Sequence, residues 1–166
     1  DVNNFFYSGF SYGGGAVLFL MGNLKFADGK TWAGPVAAEP ACNVFHEARD
    51  LGVPLLTIKG GESHYEPLPC ETMTKLYRGA GAEVELIVLP KSNHYFSHNG
   101  ETSKGLALNG CGDNPLIIMQ DGRFLFMDGS RPTRKLFREK CFTNRRGKGK
   151  TREDLDMAIQ LTVEFF

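Results

Sequence analysis

The first apolar positions fall in two blocks with a glycine-rich break between them. Phe5-Phe6-Tyr7 predicts a short strand, and Ala16-Val17-Leu18-Phe19-Leu20 predicts a helix. Residues 23–34 are polar and contain glycine, and read as a loop carrying the single tryptophan, Trp32. Pro35-Val36-Ala37-Ala38-Glu39 is apolar enough for a buried strand and is stopped by Pro40. Residues 43–52 show no convincing period. Val53-Pro54-Leu55-Leu56-Thr57-Ile58 is a stronger strand, closed by Gly60-Gly61. Residues 71–78 place Met73, Leu76 and Tyr77 on one helical face, with Gly79 and Gly81 as stop signals. Glu83-Val84-Glu85-Leu86-Ile87-Val88-Leu89 is a further strand ending at Pro90.

This strand–helix–strand rhythm with short links implies a parallel sheet covered by helices. Beyond Gly100 it breaks. Leu116-Ile117-Ile118 and Phe124-Leu125-Phe126 flank Asp121-Gly122 and predict a hairpin. Residues 144–150 read as a mobile stretch, and Thr151-Arg152-Glu153-Asp154 as the cap of a last helix through Phe165. No internal repeat is visible.

A chain of 166 residues is one domain's worth and can bury a real core. Nineteen basic residues balance nineteen acidic ones, so net charge points to neither nucleic acid nor membrane, and no apolar run is long enough to span a bilayer. The basic run over residues 131–150 reads as a solvated face, since no nucleic-acid recognition fold accompanies it. Cys42, Cys70, Cys111 and Cys141 form no C-x-x-C pair, which argues against zinc. Their even number allows two disulfides and an oxidising compartment, periplasmic or secreted; four buried thiols are the alternative.

The chemistry is concentrated in Gly9-Phe10-Ser11-Tyr12-Gly13, a G-x-S-x-G turn between a strand and a helix. In such a nucleophile elbow the serine holds a strained backbone that lifts Oγ into the open. Gly9 and Gly13 are expected to be glycine because a side chain there would strike the neighbouring strand or helix. Ser11 would sit at a helix N-terminus, and the Tyr12 N–H would supply half of an oxyanion hole. A serine needs a base oriented by a carboxylate. His94, after the last parallel strand, is the best base; His98 is the fallback, with His46 and His64 behind it. Glu62, in the loop after the third strand, is the expected acid and Glu66 its alternative. Ser11, Glu62-Ser63 and His94 all follow strand carboxyl ends, where parallel sheets bind ligands.

Gly9-Phe10-Ser11-Tyr12-Gly13-Gly14, the loop from Leu55 to Pro67 followed by Cys70, and Val84 to Pro90 leading into His94-Tyr95-Phe96 together resemble the dienelactone hydrolase-like branch of the α/β-hydrolases. Gly79-Ala80-Gly81-Ala82 before the last strand suggests that branch; the late hairpin and the cysteines resemble its extracytoplasmic members. The resemblance covers the whole chain and implies Ser11 as nucleophile, His94 as base and Tyr12 as oxyanion donor. Two departures stand out: the founding members use cysteine where this chain has Ser11, and the family's usual aspartate falls at Ser63. The expectation is therefore an α/β chain, residues 1–166, forming the C-terminal part of an α/β-hydrolase fold. Its sheet is mostly parallel with flanking helices and a late β-hairpin. The elbow strand comes at once after residue 4, so the reading expects the earlier strands and the second oxyanion donor to lie outside this chain, impairing its activity. The expected activity is hydrolysis of a small-molecule carboxylic ester or lactone through an acyl-serine, without metal or organic cofactor. The competing expectation is a non-catalytic binding or scaffold module, favoured by Ser63 and the basic run; a third is a truncated product that does not fold alone.

Overall fold

A computed structural model describes residues 5–21, 32–94, 105–108, 110–148 and 152–166, with the backbone alone for 105–107, 152 and 153. Strand β1 (Phe5–Phe10) runs into helix α1 (Tyr12–Leu20), and β2 (Trp32–Ala38) returns beside β1. A short β3 (Val44–His46) follows, then β4 (Leu55–Gly60), α2 (Leu68–Gly79) and β5 (Val84–Leu89). The four-stranded sheet has the order β1-β2-β4-β5, and every pair in it is parallel. This is the mostly parallel α/β sheet with flanking helices that the chain's rhythm predicts.

Both faces of the sheet are covered, which is why its strands read as nearly continuous apolar runs. Every residue of β4 is buried. On one face Ala37 and Leu55 pack with Val17 and Leu18 of α1 and with Met73 and Tyr77 of α2. On the other, Val36, Leu56 and Ile58 meet Ala158, Leu155 and Phe165 of the last helix, α4 (Arg152–Phe165).

The later chain builds smaller pieces. These are β6 (Gly105–Leu108), β7 (Leu116–Ile118), β8 (Phe124–Phe126), α3 (Arg134–Cys141) and β9 (Phe142–Arg145). β7 and β8 form the expected antiparallel hairpin, with Gly122 at φ 80° in its turn, and β3 joins it parallel to β7. β6 and β9 pair antiparallel.

Several details differ from the expectations. β2 begins at Trp32, which leaves the supposed loop because its ring packs 4.5 Å from that of Tyr7 on β1. The part of that loop before residue 32 lies outside the described residues. Asn144 and Arg145 belong to β9 through pairing with β6, so the stretch expected to be mobile is partly strand. The basic run contains α3, whose start is capped by the Thr133 hydroxyl accepting from the Leu136 N–H. The four cysteines form two disulfides, Cys42–Cys70 and Cys111–Cys141, with Cα–Cα distances of 4.9 and 4.8 Å.

Candidate active site

Ser11 caps α1 at φ 57° and ψ −114°, a conformation an L-residue adopts only under constraint. The constraint is visible. Its N–H donates to the Ala38 carbonyl at 2.9 Å, and its own carbonyl accepts from the Gly15 N–H at 3.0 Å. The turn can be this tight because a Cβ at Gly9 would lie 2.2 Å from the Gly13 carbonyl oxygen. The same argument fails for Gly13, where a side chain would meet nothing within 4 Å. The second crowded position is Gly14, whose Cβ would come 2.6 Å from the Ala38 oxygen. The expectation for Gly13 is thus corrected: it faces open space because the first turn of α1 turns that residue away from β2.

His94 is buried and reaches the serine from the far end of the sheet. Its Nε2 lies 2.8 Å from Ser11 Oγ. The rings of Phe10, His64 and Tyr65 surround it at centroid distances of 5.4, 4.7 and 5.0 Å. Two glycines let its loop close onto β4: a Cβ at Gly60 would lie 2.6 Å from the Ser92 carbonyl oxygen, and one at Gly61 2.8 Å from that of Pro90. The other histidines are placed differently. His46 lies on β3 with Nε2 3.0 Å from the Phe19 carbonyl, and His98 is outside the described residues. His64 meets His94 edge to face, and burial, with His94 adding to it, lowers its pKa to about 4, so it is neutral at pH 7.

The carboxylate on the imidazole is that of Glu39, not Glu62. Glu39 Oε2 lies 2.8 Å from His94 Nδ1. Glu62, expected in this role, is engaged through its backbone, its N–H donating to the Ser92 carbonyl and its carbonyl accepting from the Lys148 N–H. The alternative, Glu66, lies 3.7 Å from the guanidinium of Arg145. Glu39 directly follows β2 at φ 54°, with its N–H on the Ile58 carbonyl. It therefore occupies the same kind of strained position after its strand that Ser11 occupies after β1. The strand-end rule pointed to this place, but the apolar run before Pro40 absorbs Glu39 as a strand residue in the linear pattern.

Glu39 is almost fully buried, and among the described residues four donors converge on its carboxylate. Oε2 accepts from Lys59 Nζ at 2.9 Å and from Ser63 Oγ at 2.9 Å as well as facing His94, while Oε1 accepts from the Gly60 N–H. Burial alone would raise its pKa; Lys59, the His94 hydrogen bond and the Gly60 N–H outweigh that and hold the carboxyl below its ordinary value. Ser63, where the resemblance led to the expectation of an aspartate, donates its hydroxyl to Glu39.

Ser11 opens on a cleft of about 680 Å³. Its described lining is mainly apolar, with Leu18, Phe19, Leu20, Val44 and Leu108 beside Tyr12 and Tyr65. Tyr12 begins α1, so its N–H belongs to the first helical turn, where no intrahelical acceptor exists. Such a donor beside Ser11 can bind an oxyanion.

No family model matches the chain. Among curated proteins it is 30% identical over 103 residues to a "Putative carboxymethylenebutenolidase" of Escherichia coli K12, covering 58% of this chain. A protein of the same name from Escherichia coli O157:H7 matches to the same extent. The chain spans 38% of the length of these relatives. Among solved structures, one titled "Putative Dienelactone Hydrolase" from Klebsiella pneumoniae superposes with a TM-score of 0.44 at 24% identity, covering 58% of this chain and 42% of that one.

Proposed function

The curated relatives support a place in the dienelactone hydrolase-like family of α/β-hydrolases, at modest identity and partial coverage, and from that premise we propose that this chain carries a Ser11–His94–Glu39 triad that cleaves a carboxylic ester or lactone. The observation that carries the proposal is the bridging of Ser11 Oγ and Glu39 Oε2 by the two nitrogens of one imidazole, each contact 2.8 Å. That is the relay an otherwise weak hydroxyl nucleophile requires.

The Ser11 oxygen attacks the ester carbonyl as His94 Nε2 takes the hydroxyl proton. Glu39, anionic throughout, stabilises the imidazolium and keeps Nδ1 as the protonated nitrogen. The new oxyanion accepts from the Tyr12 N–H at the start of α1. Collapse breaks the C–O bond to the alcohol, which leaves with the proton from His94, and an acyl-serine remains. Water, deprotonated by His94, then releases the acid and restores Ser11. The apolar cleft favours an uncharged acyl or alcohol portion.

The non-catalytic module was favoured by Ser63 and by the basic run over residues 131–150, and the first of these grounds weakens. With Ser63 donating to Glu39, that residue now counts toward a working triad. The two disulfides favour an oxidising compartment, periplasmic or secreted.

A fluorophosphonate probe tests the reading. It should form one adduct, on the peptide containing Ser11, and Ser11→Ala should abolish it. Labelling that survives this substitution, or an adduct elsewhere, would refute the assignment.

A further inference from the structure

Lys59 stands where a lysine is costly. It lies in a central strand of the parallel sheet, on an element buried at every position, and its own side chain is wholly buried. An apolar residue of similar length would be as good or better for stability, because a buried ion pair seldom recovers its desolvation cost. The ammonium is aimed at a single oxygen, Glu39 Oε2 at 2.9 Å, with the Tyr65 ring 5.5 Å away. That same oxygen faces His94 Nδ1 at 2.8 Å and accepts from Ser63 Oγ at 2.9 Å.

From this convergence we infer that Lys59 is a positioning residue of the triad: its charge keeps the Glu39 carboxylate ionised and oriented on His94, without Lys59 touching the reacting atoms. The inference rests on the triad proposed above. Its logic is local. A proton on Oε2 would compete for the lone pairs that three donors share, so all three contacts hold only while the carboxylate is anionic. Burial works against that anion, and Lys59 is the nearest full charge that offsets it. The remaining charged or titratable groups around the pair are His64 and Tyr65 from the loop after β4, and Arg145 of β9, itself 3.7 Å from Glu66. Of these, Arg145 opposes the charge on Lys59, and burial draws that ammonium below its ordinary range while Glu39 resists.

The test follows the second-order rate of fluorophosphonate labelling at Ser11 across pH 4–9, together with ester turnover. Lys59→Met should slow both by tenfold or more at pH 7 with little change in KM. It should also move the acid limb of the profile upward by about one unit. Ser63→Ala, which removes a neutral donor, should slow labelling and move that limb less than Lys59→Met does. A Lys59→Met chain that loses rate with an unmoved profile would reduce Lys59 to a structural element and overturn the inference. Should that variant fail to fold, the side-chain carboxyl of Glu39 followed by ¹³C NMR in the unaltered chain decides. It should stay ionised well below pH 4.5, and titration in the ordinary carboxylate range would overturn the inference. If the unaltered chain takes no label at Ser11, the triad reading fails, while the Glu39 titration still judges the part played by Lys59.

Discussion

Glu39 concentrates the chemistry of this site in one side chain. An amide in its place would keep the shape, lose the charge and stabilise the wrong imidazole tautomer. Glu39→Gln should therefore cut kcat by roughly 10³–10⁴-fold, as loss of a triad carboxylate does elsewhere. Glu62→Gln should leave turnover near its original value, because His94 Nδ1 is already engaged by Glu39. Steady-state kinetics on the two variants separates the candidates directly, and the reverse ranking would restore Glu62. The elbow offers a second contrast at this scale. Gly9→Ala and Gly14→Ala would each drive a Cβ into backbone, whereas Gly13→Ala points into open space. Thermal melts should show the first two substantially destabilised and the third close to wild type.

Single elements hold these residues only because others press on them. The Cys42–Cys70 disulfide ties the segment after Glu39 to the first turn of α2, bridging 28 positions of sequence. Closing a loop of that size is worth about 3.5 kcal/mol through the unfolded chain. Replacing both cysteines with alanine should lower the urea unfolding free energy by about that amount. It should also lower kcat, since Cys42 lines the cleft and lies three residues from the acid. Unchanged kcat in the double variant would show that the Glu39 segment is held by the sheet alone. The short helix α3 and the strand pair β6–β9 are elements that the linear pattern did not suggest. α3 carries few apolar residues, with Leu136, Phe137 and Cys141 as its inward contacts, so its period is faint. β6 and β9 are four residues each and stabilise one another across more than thirty positions, a pairing with no local signature.

At the scale of the whole molecule, two groups of the site make stability depend on pH. His64 titrates at about 4 in the folded chain against an ordinary 6.5, because burial and the neighbouring His94 disfavour its charge. The unfolded chain therefore takes up that proton first, and stability falls as pH drops from 6.5 to 4, with no further loss from this group below that. Glu39 acts in the same direction lower down. Its depressed carboxyl stabilises the fold above its ordinary 4.5, and that contribution is lost as pH falls through the folded value. Urea midpoints measured from pH 7 to 4 should decline, and His64→Phe should flatten the upper part of the decline. A pH-independent midpoint would contradict the burial of these groups.

The sequence by itself determined the parallel sheet, the strained turn at Ser11 and the choice of His94 as the imidazole that meets it. Each is announced locally, by apolar runs, by a glycine-bounded serine between strand and helix, and by a histidine just past a strand. Even the cysteines announced their capacity to pair, though not their partners. Only the tertiary structure decided which carboxylate faces His94, because Glu39 follows β2, Lys59 and Ser63 lie at the end of β4, and His94 follows β5, three strand ends that meet across the sheet. No short window of sequence contains that meeting. It arises from strand order and from glycines at 60 and 61 that let one loop settle onto another, and those are properties of packing, not of pattern.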